Sequence, residues 1–173
     1  ISDPDNYRGI TLLSCVGKLF SALLNDRITS YLDAIGGIGD EQAGFRQGHS
    51  TIDHVFALHA ILSIYLSAGK RVYCAFIDYK KAFDFVDRVS LWNKLLSSGV
   101  NGKLLVVIHN MYRNAKSCVK VEDKISDFFN CNVGVRQGEN LSPLLFSIFL
   151  NDFELSVSRH YNGLSFLGGE IND

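Results

Sequence analysis

The residue best suited to chemistry is Asp78, a carboxylate placed directly after the apolar run of residues 72–77. The run is continuously apolar rather than alternating, and this pattern predicts a strand over residues 71–78 that is covered on both faces. Sheets built from such strands bind ligands beyond the carboxyl ends of the strands. Asp78 is therefore a candidate catalytic carboxylate, and the alternative is that it only caps the segment that follows.

Two glycine-containing loops carry an arginine and lead directly into predicted helices. One is "QAGFRQGHST" at residues 42–51, and the other is "GVRQGENLSP" at residues 134–143. Backbone N–H groups at a helix start, together with a guanidinium and an amide, suit a phosphate or a base-paired nucleotide. Either loop alone is weak support for such a site, but the two flank Asp78 in the sequence and point together to a nucleotide.

The elements that must position these groups are predicted from hydrophobic periodicity and from capping residues. Apolar residues recur at three- and four-residue steps, glycines follow several helices, and Ser142-Pro143 predicts a helix start with Ser142 as the N-cap. The predicted helices cover about residues 16–35, 51–68, 90–98, 102–114 and 142–157. The predicted strands cover residues 71–78, 117–122 and 127–133, with "EDK" as the turn between the last two. The pattern is that of an α+β fold.

Composition limits the class of protein. The chain has 173 residues, of which 47% are hydrophobic, and a net charge of −1, which is compatible with one domain or with a piece of a larger one. No apolar run approaches the ~20 residues that span a bilayer, and the first residues do not read as a signal peptide. The four cysteines lack CxxC spacing, so we expect free thiols in a reducing intracellular compartment. Because no apolar run is long enough to span a bilayer, we expect no membrane partner.

One stretch is locally basic although the whole chain is not. Between residues 88 and 121 there are six basic residues and no acidic one. Such a run is either a solvated face or a surface that follows a nucleic-acid backbone.

Four motifs in this order resemble the reverse transcriptase domain of non-LTR (LINE-type) retrotransposons. They are "NYRGITLLSCVGKLFSALLNDRI", "QAGFRQGHST", "FIDYKKAFDFVDR" and "GVRQGENLSPLLFSIFLNDF", which together extend over residues 6–153. The resemblance implies the right-hand fold of polymerases, with residues 1–70 as fingers and residues 71–173 as an incomplete palm with inserted helices. It also implies that the thumb is absent and that residues 1–173 form a partial domain.

The same resemblance assigns the metal ligands. Asp78 matches a catalytic carboxylate that binds Mg²⁺, and the backbone carbonyl of Tyr79 matches a second ligand to the same ion. The complete enzyme of this family uses two such ions, for which hard oxygen ligands are suited. Asp84, Asp87 and Asp152 are expected to cap helices or pair locally instead.

Nucleotide contacts are assigned by the same motifs. Phe83, preceded by Ala82, matches the aromatic steric gate beneath the incoming sugar, whose ring would clash with a ribose 2′-hydroxyl and so favours deoxynucleotides. RNA-copying RNA polymerases carry an aspartate at this spacing, whereas Asp84 here comes one residue later. Gln137 and Gly138 match the pair beside the nascent base pair.

Charged residues complete the expected set of contacts. Arg46 matches a fingers arginine that grips the triphosphate, with Arg8 as a second candidate. The expected partners are an RNA template, a DNA primer and deoxynucleoside triphosphates. Candidate nucleic-acid contacts are Arg136, Lys94, Lys116 and Lys120.

A second metal motif, an aromatic residue followed by alanine and two aspartates, is not found in the sequence, which contains no Asp-Asp pair. We therefore expect a fragment of an RNA-directed DNA polymerase that is inactive by itself. The alternative is a non-catalytic relic of a retroelement that at most binds nucleic acid. The residue types kept at Asp78, Phe83, Gln137 and Gly138 favour the first interpretation.

Overall fold

The computed structural model describes residue 3, residues 7–153, residue 156, and residues 164–166 and 169–171. The described helices are α1 (Cys15–Ile35), α2 (Thr51–Ser67), α3 (Arg88–Ser97), α4 (Gly102–Arg113) and α5 (Ser142–Leu150), with a 3₁₀ helix at Ala82–Phe85. The described strands are β1 (Lys116–Ser117), β2 (Lys120–Val121), β3 (Lys124–Ile125), β4 (Phe129–Asn130), β5 (Leu164–Phe166) and β6 (Gly169–Ile171). Helices and small sheets together confirm the α+β content that the sequence predicts.

Local capping explains where the first helices begin and end. The Ser14 hydroxyl accepts a hydrogen bond from the Gly17 N–H at 3.1 Å, and α1 ends at Gly36 in the left-handed conformation. α2 opens with a capping box, in which the Ser50 N–H donates to the Asp53 carboxylate at 3.0 Å. These boundaries agree with the periodicity of the sequence.

The start of α5 differs from the prediction. Leu141 occupies the N-cap position, and Ser142 is the first helical residue and fully buried. Its hydroxyl does not cap the helix because it lies within hydrogen-bonding distance of Tyr112 and Glu139. Residues 154, 155 and 157 of the predicted helix lie outside the described residues.

The predicted buried strand at residues 71–78 is wrong. Residues 70–79 carry no regular hydrogen-bonded structure, and Tyr73, Phe76 and Ile77 are 87%, 82% and 64% exposed. A strand exists only where a neighbouring backbone pairs with its N–H and C=O groups, and none of the described residues supplies that neighbour. Continuous apolarity in the sequence predicts burial but does not provide the partner.

The described strands form three separate two-stranded antiparallel sheets. β1 pairs with β4, β2 pairs with β3 through the predicted Glu-Asp turn, and β5 pairs with β6. The hairpin predicted between residues 117 and 133 is thus confirmed, with shorter strands than expected.

The core is helical and lies between α1, α3, α4 and α5. α3 packs against both α5 and α4. The innermost side chains, all at most 2% exposed, are Ile28, Leu32, Val86, Leu91, Leu95, Val100, Ile108, Tyr112, Leu141, Leu145 and Ile148. By contrast α2 buries only Tyr65 among its described residues, and Ile52 and Phe56 are more than 70% exposed. The apolar side chains of α2 are therefore largely left uncovered by the described residues.

Arg88, at the first position of α3, ties several parts of the core together. Its Nε donates to the Gly134 carbonyl at 2.9 Å, and Nη1 donates to the carbonyls of Tyr112 and Cys131 at 3.0 and 2.6 Å. Nη2 donates to the Val133 carbonyl at 3.1 Å. One side chain therefore joins α3 to the end of α4 and to the chain that leads into the 134–143 loop.

No helix among the described residues is long and apolar enough to cross a bilayer.

The Arg88 bonds predict a stability difference between arginine and lysine. Arg88→Lys keeps the positive charge but loses the planar fork, so several partly buried carbonyls lose their donors. We expect the free energy of unfolding, measured by urea titration, to fall by about 2 kcal/mol. Arg113→Lys, at an exposed position on α4, is the control, and an equal effect of both substitutions would contradict the assignment.

The cap of α3 predicts a pH dependence. The Asp87 carboxylate accepts a hydrogen bond from the Ser90 N–H at 2.7 Å, and this hydrogen bonding with Ser90 lowers the pKa of Asp87. A lowered folded-state pKa gives stability that is present above the unfolded pKa of about 3.9 and is lost as the pH falls through the folded value. Asp87→Ala should thus destabilise the protein at pH 7, and the difference from the native chain should shrink below about pH 4.

Two further variants separate the cap from its charge. Asp87→Asn should keep most of the stability and lose the pH dependence, because asparagine also caps helices. Asp26→Asn, at an exposed position inside α1, is the control for a general effect of removing a carboxylate. Urea titrations at pH 3 and pH 7 measure all three, and a pH-independent effect of Asp87→Ala would show that Asp87 does not act as a charged cap.

Candidate nucleotide-binding site

The 3₁₀ helix that carries Phe83 is bonded to the start of the 134–143 loop. The Val135 N–H donates to the Phe83 carbonyl at 2.8 Å, and the Gly134 N–H donates to the Val86 carbonyl at 2.9 Å. Gly134 has φ +78°, and a Cβ there would lie 2.6 Å from the Asp84 carbonyl oxygen. Only glycine permits this close pairing, which places Phe83 beside the loop that carries Gln137.

The ring of Phe83 is held by two other aromatic rings. Phe146 of α5 stacks on it with centroids 5.0 Å apart, and Phe45 approaches it perpendicularly at 6.0 Å. Phe45 belongs to the 42–51 loop and has φ +64°. The structure therefore brings the 42–51 loop to the ring of Phe83 and the 134–143 loop to its backbone.

Gln137 and Gly138 lie against the segment that precedes α1. The Thr11 N–H donates to the Gln137 carbonyl at 2.8 Å. Gly138 has φ +104°, and a Cβ there would lie 2.9 Å from the Thr11 carbonyl oxygen. Arg8 is exposed on the same segment, three residues before Thr11. The Gln137-Gly138 pair is thus fixed by backbone contacts with the amino-terminal segment.

A buried polar cluster supports the loop from beneath. Glu139 is 4% exposed, and the Tyr112 hydroxyl donates to its carboxylate at 2.5 Å. Burial, together with the nearby Glu139 charge, raises the pKa of Tyr112, so its hydroxyl stays a donor. The Arg136 guanidinium lies 3.6 Å from the Glu139 carboxylate and donates to the Met111 carbonyl at 3.0 Å. Arg136, expected to contact nucleic acid, is engaged inside the protein.

The proposed metal ligands are placed differently. Asp78 and Tyr79 are exposed in the unpaired segment of residues 70–79, and within the described part of the chain no hydrogen bond or ion pair involves the Asp78 carboxylate. One carboxylate and one carbonyl are hard oxygen donors of the kind that Mg²⁺ prefers, but Mg²⁺ takes six ligands. The described residues contain no group of three or more histidine, cysteine or acidic side chains able to hold a metal ion. The Asp78 carboxylate and the Tyr79 carbonyl are therefore the right type of ligand for Mg²⁺, but two ligands are fewer than the six that the ion takes.

Arg46 is turned back on its own loop. Its Nη1 donates to the Gly39 carbonyl at 2.9 Å and lies 3.9 Å from the Asp40 carboxylate. The side chain is 22% exposed. This bond engages one of the five N–H donors of the guanidinium.

The basic run divides into engaged and exposed residues. Lys94 bonds to the Phe149 carbonyl and to Asp152, and this confirms the structural role expected of Asp152. Lys116 and Lys120 are exposed on β1 and β2. Since Lys94 is bonded internally, as Arg88 is, the run is not one continuous phosphate-binding surface.

Sequence reasoning missed the roles of Phe45, Tyr112 and Glu139. Phe45 carried a weak signal, since a large apolar residue between Gly44 and Arg46 in a polar loop is unusual. Tyr112 and Glu139 carried none, because the periodicity of α4 marks Tyr112 only as a core position. Their contact joins residues 27 positions apart in the chain.

Comparison with known proteins gives the family. The family described as reverse transcriptase (RNA-dependent DNA polymerase) matches the chain over residues 1–168. The "Probable RNA-directed DNA polymerase from transposon BS" of Drosophila melanogaster is 33% identical over 91% of this chain and 17% of its own length. The corresponding protein "from transposon X-element" of the same species is 31% identical over 87% of this chain and 16% of its own length.

A third relative is the "RNA-directed DNA polymerase from mobile element jockey" of Drosophila funebris. It is 32% identical over 87% of this chain and 16% of its own length. The chain thus spans about a sixth of the length of these curated relatives. It belongs to the reverse transcriptase (RNA-dependent DNA polymerase) family, as represented by the non-LTR retrotransposons.

Proposed function

We propose that this chain forms the nucleotide-selecting part of an RNA-directed DNA polymerase, acting on an RNA template, a DNA primer and deoxynucleoside triphosphates. The supporting observation is the pair of backbone hydrogen bonds that fixes Phe83 to the 134–143 loop. These bonds hold the backbone of Phe83 at Val135, two residues before the Gln137-Gly138 pair. In this proposal the Phe83 ring contacts the sugar and the pair contacts the base. In this proposal residues 1–70 act as fingers and residues 71–173 as part of the palm.

The reaction joins the primer to the incoming nucleotide. The primer 3′-hydroxyl gives its proton to water and its oxygen forms a bond to the α-phosphorus, while the bond from that phosphorus to the pyrophosphate oxygen breaks and pyrophosphate leaves. Mg²⁺, when bound, lowers the pKa of the primer hydroxyl and neutralises charge on the triphosphate. Asp78 and the Tyr79 carbonyl would supply two of its oxygen ligands, and the rest would come from the triphosphate, water and other parts of the polymerase.

The remaining residues bind and orient. Phe83 would lie under the sugar and exclude a 2′-hydroxyl. Gln137 would contact the nascent base pair through its side chain, because its backbone carbonyl accepts a hydrogen bond from the Thr11 N–H. Arg46 and Arg8 would approach the phosphates from the fingers. Lys116 and Lys120, which are exposed, would contact the nucleic-acid backbone.

The metal role of Asp78 predicts a loss of extension without a loss of binding. In a polymerase of the length of the relatives that contains this chain, Asp78→Asn keeps the shape of the side chain and removes its negative charge. Extension of a DNA primer on RNA should fall about a thousandfold, since a catalytic metal contributes several kcal/mol. Template affinity should stay nearly constant because it depends mostly on phosphate contacts elsewhere.

Asp84→Asn is the matched control for this substitution. Asp84 is also exposed and lies six residues further along the chain. Gel-based extension and filter-binding assays measure the two quantities. Wild-type extension by Asp78→Asn would show that Asp78 is a local cap and would end the proposed mechanism.

The steric role of Phe83 predicts a change in sugar selectivity. Phe83→Ala removes the ring that would clash with a 2′-hydroxyl, so ribonucleotide insertion should rise by at least about tenfold relative to deoxynucleotide insertion. The measurement is single-nucleotide insertion with matched ribo- and deoxyribonucleotides. An unchanged ratio would remove Phe83 from the sugar site.

A further inference from the structure

We infer that Phe45 is a positioning residue for Phe83 and thereby sets the discrimination between deoxyribo- and ribonucleotides. The inference rests on the proposed function, in which Phe83 lies beneath the sugar. It adds a specificity role for the 42–51 loop that is separate from the phosphate contact proposed for Arg46.

The contact geometry supports this role. Phe83 lies on a four-residue 3₁₀ helix, and the Val135 N–H bonds to its backbone carbonyl. This bond does not itself restrain rotation of the Phe83 ring about the Cα–Cβ bond. Phe146 stacks nearly parallel to the ring, at an interplanar angle of 20°, and Phe45 meets it at 87°. Parallel and perpendicular contacts together restrain rotation of the ring, which a single stacked neighbour would permit.

The backbone of Phe45 is a second and independent observation. Its φ of +64° lies in the left-handed region, which is unfavourable for a bulky side chain. The same loop contains glycines at positions 44 and 48, yet a phenylalanine occupies this strained position. The side chain is also 67% exposed, so burial does not compensate for this conformation. Its ring contacts that of Phe83. A strained, exposed aromatic residue is better explained by placement of the neighbouring ring than by stability of the fold.

Discrimination depends on where the gate ring stands. A 2′-hydroxyl is excluded only if the ring cannot move aside, and a displacement of about 1 Å is enough to alter a catalytic geometry. If only Phe146 contacted the Phe83 ring, the ring could be displaced by a 2′-hydroxyl. Contacts with both Phe45 and Phe146 would prevent that displacement. Phe146 is partly buried against the core, so its replacement would also disturb packing, and Phe45 offers the cleaner test.

The experiment uses a polymerase of the relatives' length that contains this chain, with kcat/KM measured for dTTP and UTP on an RNA template. Phe45→Leu keeps an apolar side chain and removes the ring. We expect the dTTP/UTP ratio of kcat/KM to fall about tenfold while dTTP insertion changes by less than about threefold. Phe45→Tyr keeps the ring and should keep the ratio. Phe128→Leu, at a position that is 70% exposed, is the control for loss of an exposed phenyl group.

A double variant tests whether Phe45 acts through Phe83. If it does, Phe45→Leu should add nothing to Phe83→Ala, and the two effects will be non-additive. Additive effects, or an unchanged ratio in Phe45→Leu while Phe83→Ala lowers it, would overturn this inference and leave the proposed function intact. An unchanged ratio in Phe83→Ala would instead overturn the proposed function.

Folding of the variants is checked by thermal unfolding. Should Phe45→Leu fail to fold, Phe45→Gly replaces it, because glycine adopts a positive φ without strain. Phe45→Gly should keep the unfolding midpoint within a few degrees or raise it, and should lower the dTTP/UTP ratio at least as much as leucine. A ratio equal to that of the native polymerase would overturn the role assigned to Phe45.

Discussion

The guanidinium of Arg88 is the constraint on which the proposed site depends. Its hydrogen bonds to carbonyls at the end of α4 and in residues 131–134 fix where the chain leaves the β4 region and enters the loop. Each of those carbonyls lies at the end of a regular element or beyond it, where the ladder of backbone hydrogen bonds stops. A planar fork with five N–H groups serves several acceptors from one position, and arginine carries more donors than any other side chain. The loop that carries Gln137 therefore begins from a fixed point.

The charges of Arg88 and Arg136 are balanced in the same region by the carboxylate of Glu139. Two guanidiniums, those of Arg88 and Arg136, lie over the ring of Tyr112, at 5.0 and 5.3 Å from its centroid. Cations favour the negative face of an aromatic ring, but two like charges near one ring repel each other. Glu139 supplies the compensating charge, 3.6 Å from Arg136, and is itself hydrogen-bonded by the Tyr112 hydroxyl. Removing Glu139 would leave two partly buried guanidiniums without a compensating charge, and removing Arg136 would leave the buried Glu139 carboxylate without its ion pair.

What the sequence predicted well depends on contacts close together in the chain. The cap at Asp87 and the ends of α1 and α2 follow from residues within four positions of one another. The strand at residues 71–78 failed because pairing requires a distant backbone that no local pattern specifies. Arg46 and Arg136 were expected to contact ligands, but both guanidiniums donate to backbone carbonyls of the protein. The sequence does not specify which arginines make such internal hydrogen bonds. Phe83 and Gln137 were placed near each other by resemblance to a family, and the hydrogen bonds between their segments supply the physical reason.

The two sides of the proposed site differ in how they are held. On the sugar side, Phe83 is fixed by a backbone bond and by two rings, and Gln137 is fixed by Thr11. On the metal side, Asp78 and Tyr79 lie in a segment whose backbone groups have no strand partner among the described residues. No hydrogen bond or ion pair among the described residues holds the Asp78 carboxylate, and ligand geometry for Mg²⁺ is exacting. In the proposed function, selection of the sugar would thus depend on contacts within this chain, whereas placement of the metal would depend on residues 71–78 gaining a neighbouring strand.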